Sequence, residues 1–273
     1  MRRIVLVVTA LALAAPAWAG TSPPGVNIRW DLCYADGGTE YKTFACDTNT
    51  GSESLVMSVE LADPLSRVTG FEVDLVLTSA TPVLPAWWNF KNPGSCRQAA
   101  LSLSTLPAPT DVHCPDWSAG SAVGGIGSYT IGYSGSWPGA ALVRAAIAAP
   151  SPGLDLSDGA EYFFGALTIN HNKTVGTGAC GGCATPVCLM ISDVNVVHMN
   201  ADGSPAPSLL LTHGANWLGS QIAGWQNGYV AAYWPYGHDS AGVPFDAVIT
   251  SCVPYSTTAA KRQTWGAVKS LYR

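Results

Sequence analysis

Positive charge is scarce in this sequence. Lys and Arg together number 13 in 273 residues against 18 Asp and Glu, and charged residues make up only 11% of the chain. Neutralising phosphates takes clustered cations, so nucleic acid is not an expected partner. Long apolar runs are missing beyond the first 20 residues. No later stretch approaches the roughly 20 residues that a membrane-spanning helix requires. The chain has no GxSxG, no HExxH and no glycine-rich phosphate loop, and His113, His171, His198, His213 and His238 stand singly. His238-Asp239-Ser240 sets three triad residue types side by side, but a triad is assembled in space and adjacency in the chain is chance. A glycosidase needs two carboxylates about 5 to 10 Å apart across a cleft, and spacing alone does not bring Glu72, Asp74, Asp155, Asp158 or Glu161 into such a pair. The expectation is a non-catalytic chain without cofactor or metal.

What is present points outward from the cell. MRRIVLVVTALALAAPAWAG combines two arginines, an apolar run of about a dozen residues and a small-x-small site at Ala17-Trp18-Ala19, the pattern of a signal peptide over residues 1–19. Loss of Arg2 and Arg3 with it lowers the basic count from 13 to 11, for a mature net charge of −7. All eight cysteines (Cys33, Cys46, Cys96, Cys114, Cys180, Cys183, Cys188 and Cys252) lie in the mature part, an even number in an exported chain, and so read as disulfides. The single CxxC, Cys180-Gly-Gly-Cys183, lacks the second CxxC of a zinc site and sits in a glycine-rich loop rather than at a helix start. Proximity favours Cys33 with Cys46 and Cys96 with Cys114. Among Cys180, Cys183, Cys188 and Cys252 three pairings stay open, with Cys183–Cys188 and Cys180–Cys252 preferred.

The centre of the chain is Glu161 to Met199: two runs of β-formers joined by a loop holding three cysteines. Upstream, Val26 to Tyr34 reads as a first strand. Leu55, Met57, Val59 and Leu61 fall on one face of a second; Phe71, Val73, Leu75 and Leu77 fall on one face of a third, with Glu72 and Asp74 opposite. These two are expected to have one wet face each and to be joined as a hairpin through ADPLSR. The exposed carboxylates suit solubility. Gln98 to Ser104, Ser128 to Ser134, Ala140 to Ala149 and Glu161 to Asn170 continue the series. ALVRAAIAA has helical alanine content, but flanking prolines and strand-like neighbours favour β. In CLMISDVNVVHM the alternation slips at Ser192-Asp193, the mark of a β-bulge. Asp47 to Glu53 is a polar loop whose oxygens suit either a calcium ion or, better, a plain solvated turn.

Aromatics gather in two places. Trp87, Trp88 and Phe90 suit a sugar-stacking platform or plugs packed under a long loop, and the usual burial of large aromatics favours the plugs. Trp217, Trp225, Tyr229, Tyr233, Trp234 and Tyr236 form the second group, where Trp225, Tyr233 and Trp234 are the candidate ligand contacts. The chain closes with KRQTWGAVKSLYR, in which Trp265, Val268 and Tyr272 recur near helical spacing among Lys261, Arg262, Lys269 and Arg273. Trp265, Lys269, Tyr272 and Arg273 are candidate contacts of a docking or sorting tag; a frayed tail is the plainer reading.

With these residues in hand, the chain resembles a group of uncharacterised secreted bacterial proteins through FAC at Phe44 to Cys46, LPAWWNFKNPGSCRQ at Leu84 to Gln98, the ACxxCxTPVC loop within Thr168 to Ser192, and the terminal TWGxxKxxYR. That resemblance carries no activity with it. SVELADPLSRVTGFEVDLVL followed later by FFGALTI is also loosely similar to cohesin-type modules, which implies a binding surface; the calcium and dockerin contacts of cohesins have no counterparts here.

The expected fold is all-β: an antiparallel β-sandwich, jelly-roll or cohesin-like, stapled by disulfides, with a short C-terminal helical tail. Residues 20–200 would form the sandwich, 201–255 an aromatic-rich extension packed on it, and 256–273 a basic tail. The expected role is a non-catalytic secreted or cell-surface protein that binds or builds, with a polysaccharide or cell-envelope partner. A carbohydrate-binding module using exposed tryptophans is the first alternative and a secreted hydrolase the second.

Overall fold

Apolar alternation at period two produces strand after strand. The computed structural model describes residues 25–43, 45–107, 114–132, 138–212, 222–225, 228–229 and 253–254. In chain order the strands are β1 (Gly25–Trp30), β2 (Tyr41–Lys42), β3 (Ser52–Glu60), β4 (Leu65–Ser79), β5 (Leu101–Ser104), β6 (Val123–Ile131) and β7 (Ala140–Ala148). They continue with β8 (Leu154–Leu156), β9 (Glu161–Asn170), β10 (Val187–His198), β11 (Leu209–Thr212), β12 (Ile222–Trp225), β13 (Gly228–Tyr229) and β14 (Val253–Pro254). Among the described residues there is no α-helix, and the tail expected to be helical lies outside them. The leader lies outside them as well.

Two sheets hold most of these strands. One has the order β1-β3-β9-β5; the other runs β2-β12-β10-β4-β7-β6, with β11 added to β10 and β8 to β4. Pairing is antiparallel except for the short parallel match of β12 with β2. The alanine-rich β7 is a strand because β4 and β6 hydrogen-bond it on both sides, which overrides alanine's helical preference. The expected bulge is present: the register between β10 and β4 shifts from Ile191 to Asp193 and leaves Ser192 unpaired.

One apolar core fills the space between the sheets. Leu55, Met57 and Val59 of β3 and Phe71, Val73, Leu75 and Leu77 of β4 all point into it. Phe71 and Phe164 stack with centroids 4.7 Å apart, one ring from each sheet, and Trp117 meets Phe71 edge-on at 4.9 Å. A Cβ on Gly165 would lie 2.8 Å from Ile147 Cδ1 and 3.2 Å from Met57 Cε, so the bare backbone of β9 lets the two layers close.

Two expectations about β3 and β4 need correction. β3 and β4 are not a hairpin: β3 pairs with β1 and β9, β4 with β10, β7 and β8, so the ADPLSR segment carries the chain from one sheet to the other. The same is true of the cysteine loop between β9 and β10. Nor is the second face of β3 wet. Val56, Ser58 and Glu60 are buried there, and Val56 joins Cys33, Cys114, Phe163 and Ala166 in a small cluster on the back of the four-stranded sheet. The Glu161 carboxylate closes that side by accepting the Tyr34 and Ala35 amides at 3.0 and 2.8 Å and the Ser58 hydroxyl.

The disulfides overturn every expected pairing. Cys33 joins Cys114, Cys46 joins Cys183 and Cys96 joins Cys180, with Cα atoms 6.3, 5.8 and 5.9 Å apart. Cys33–Cys46, Cys96–Cys114, Cys183–Cys188 and Cys180–Cys252 are therefore excluded; Cys188 is itself in a disulfide. Neighbours in sequence were the wrong guide because each local turn aims its two sulfurs at different layers. The CxxC pair takes two different distant partners and is no dithiol.

Candidate functional site

The outer face of the eight-stranded sheet carries a shallow groove of about 360 Å³. Local sequence explains its lining. Alternation in Phe71-Glu72-Val73-Asp74 sends both carboxylates outward. The bulge at Ser192 resets β10 so that Val194 and Val196 point inward and Asp193 and Asn195 point out. Register then aligns Arg144, Asp74 and Asp193 as one rung across β7, β4 and β10, and Ala146, Glu72 and Asn195 as the next. Neighbouring strands lie about 4.8 Å apart, so side chains of one rung touch. Gly127 of β6 closes the far side without a side chain.

Arg144 Nε donates to Asp74 Oδ2 at 3.1 Å, Asn195 Nδ2 to Glu72 Oε2 at 2.9 Å, and the Ser192 hydroxyl to Asp193 Oδ2 at 2.7 Å. Burial raises the Asp74 carboxyl above its ordinary range; Asp193 and Glu72 add to the rise and Arg144 opposes it. The Arg144 side chain is 60% exposed, so its ion pair contributes at most about 1 kcal/mol. Each carboxylate accepts about four hydrogen bonds in all, which leaves capacity for a ligand's hydroxyl or amine donors. Glu72 and Asp74 were visible in the sequence only as surface charge. Arg144, Asp193 and Asn195 were missed; the slip at Ser192 was the signal that could have placed the last two beside them.

A second, half-buried polar chain lies at the edge where β2 meets the β3 start. Lys42 Nζ lies 2.5 Å from both Asp31 carboxylate oxygens and also bonds Glu53, whose other oxygen meets His171 Nε2 at 3.0 Å. Burial pulls the Lys42 ammonium down, but its hydrogen bonds to Asp31 and Glu53 outweigh this and the net shift is upward. These groups lock the loop before β3. Glu53 is spent on Lys42 and His171, and Asn49 bonds the Thr174 and Val175 amides, so the polar loop is a turn rather than a calcium cage. Cys33, Asp36 and Cys114 also stand together, but the sulfurs are bonded to each other and the Asp36 carboxylate accepts the Cys114 amide. That leaves no thiolate for a metal.

Trp87 and Trp88 are plugs, the favoured reading, and not the alternative sugar-stacking platform. Both rings are fully buried and pack edge-on with Phe90 and each other, and stacking on a sugar needs an open indole face. Arg97 lies over Trp87 with its guanidinium carbon 3.5 Å from the ring centroid, donates to the Trp87 and Asn170 carbonyls, and is pushed down to about 9 by burial. The Tyr129 hydroxyl donates to the Trp88 carbonyl. Trp225 is known through its backbone, which pairs with Val187 and Lys42. Tyr233, Trp234, Cys252, Trp265, Lys269, Tyr272 and Arg273 lie outside the described residues. Among the described residues no helix is long and apolar enough to cross a membrane.

No protein-family model matches the chain, and no curated protein matches it.

Proposed function

We propose that this chain is a non-catalytic secreted or cell-surface β-sandwich, jelly-roll or cohesin-like in plan, that binds a hydroxyl-rich partner such as an envelope polysaccharide. The contact surface is the outer face of the eight-stranded sheet. One observation carries the reading: Glu72, Asp74, Asp193 and Asn195 share one groove on a rigid pleated floor, with acceptor capacity left over after their mutual bonds. Carboxylates and amides that face solvent in register suit vicinal hydroxyls, and hydrogen bonds to charged groups contribute about 1.5 to 3 kcal/mol each. The signal-type leader and the long-range disulfides support an oxidising address. A glycan array with the mature protein tests it: Glu72→Gln with Asp193→Asn should weaken a detected glycan roughly 10-fold or more. Unchanged binding by that double variant refutes the groove.

A hydrolase is the second reading, supported by the upward-shifted Asp74 carboxyl beside Asp193, the kind of pair that serves as acid and base. It requires hydrolysis of a polysaccharide that Asp74→Asn abolishes while binding persists.

A further inference from the structure

The cluster of Lys42, Asp31 and Glu53 brings an amine against a carboxyl carbon. Lys42 Nζ stands 2.5 Å from Asp31 Oδ1 and 2.5 Å from Oδ2. A nitrogen equidistant from both oxygens has the carbon between them within about 3 Å, the near end of the roughly 3 to 3.5 Å from which a nucleophile attacks. The backbone fixes that approach. Asp31 holds φ 69°, uncommon for a residue with a side chain, and its amide donates to the Ser54 carbonyl at 2.8 Å. Trp30, just before it, pairs with Leu55, which sets Asp31 beside the start of β3 and Glu53. Lys42 ends β2 and pairs with Trp225 of β12.

Glu53 supplies what a condensation needs. One of its oxygens bonds the same Nζ and the other meets His171 Nε2 at 3.0 Å, which holds the carboxylate in place. The two carboxylates also differ in setting. Glu53 is 10% exposed and Asp31 46%, so the inner one is shielded while the outer one opens a way out for water. A salt bridge needs one carboxylate. Here one amine meets two, and they suit two different tasks: one to be consumed, the other to move protons.

We propose that Lys42 and Asp31 join in a self-formed amide bond, an isopeptide cross-link, with Glu53 as the proton carrier. Lys42 rests as an ammonium, so it must shed a proton first, and Glu53 takes it along the existing hydrogen bond. The freed lone pair on Nζ attacks Asp31 Cγ. The nitrogen then loses a second proton; both protons reach one carboxyl oxygen, which leaves as water. One C–N bond forms and one C–O bond breaks, no oxidant or reductant takes part, and Glu53 ends as it began. Holding the two reactants together gives effective molarities of about 10⁵ M or more, which offsets the cost of condensing in water. The product ties β1 of the four-stranded sheet to β2 of the eight-stranded one, a short strand matched to β12 at two residues. Until it forms, the groups are ions and titrate as such.

Mass spectrometry of the mature chain, folded with its disulfides and then reduced, tests this. The expected mass lies about 18 Da, one water, below that of the sequence. Chymotrypsin cutting after Tyr34 should leave the pieces bearing Asp31 and Lys42 joined even with the disulfides reduced. Lys42→Arg keeps the cation but not the lysine amine and should show the full mass, as should Asp31→Ala. Glu53→Gln should slow the loss of water at least about 100-fold when newly synthesised chain is followed in time. If that variant fails to fold, the joined peptides of wild type and the full mass of Lys42→Arg decide the matter. The full sequence mass in folded wild type, a loss of water that persists in Lys42→Arg, or an unchanged rate in Glu53→Gln would each overturn the proposal.

Discussion

Opening any one of the three described disulfides should cost about the same, although they span 81, 137 and 84 residues of sequence. The bridges form a cycle. From Cys33 the chain runs to Cys46, crosses to Cys183, returns to Cys180, crosses to Cys96, runs to Cys114 and crosses back to Cys33. Whichever bridge is removed, the other two still tether its ends through the same three segments, about 34 residues in all. Loop-closure entropy for about 34 residues gives about 3.8 kcal/mol at 25 °C, against about 4.5 to 5.0 if each bridge closed its full sequence loop alone. In a chain of this size that lowers Tm by roughly 8 to 15 °C. The variants are Cys33→Ala with Cys114→Ala, Cys46→Ala with Cys183→Ala, and Cys96→Ala with Cys180→Ala. Denaturant titration of each should give three losses within about 1 kcal/mol of one another, with calorimetry as the check. A non-reducing peptide map establishes the starting state and should also link Cys188 to Cys252, the cysteine that remains. A loss below about 1 kcal/mol for any pair, or a spread above about 2, refutes the reasoning about the unfolded chain.

In the ion-paired state, Lys42→Met leaves the buried Glu53 with His171 as its partner and the half-exposed Asp31 without Lys42, and should cost about 1 to 2 kcal/mol, measured by urea titration. The Lys42 shift is upward, so its contribution is complete below the ordinary value of 10.5 and is lost as pH climbs through the raised one; wild type and variant should converge there. Gly165→Ala should destabilise by about 1 to 2 kcal/mol through the contact with Ile147 Cδ1. Ile147→Val removes that carbon, so the double variant should lose less than the sum of the two, and additive losses would refute the close approach. Asp74 has a raised carboxyl pKa, so folding is penalised as pH rises past the ordinary value of 3.8. Asp74→Asn should be as stable as wild type or up to about 1 kcal/mol more so at pH 7, with the advantage gone in acid by thermal denaturation at both pH values.

The sequence by itself determined the strands and their inner faces. Leu55-Met57-Val59, Phe71-Val73-Leu75-Leu77 and the slip at Ser192 are readable because side-chain alternation is a property of the local backbone, and burying the wrong face exposes a whole row of apolar groups. The limits of β9 follow from the same rule. Only the tertiary structure decided that ADPLSR crosses between sheets and that Cys33 meets Cys114 rather than Cys46. It alone set Arg144 beside Asp74 and Asp193, residues 49 or more apart in the chain whose meeting depends on strand order and register. Such contacts are long-range: they follow from how two layers stack to bury one core, and no period within a segment records which distant segment will lie beside it.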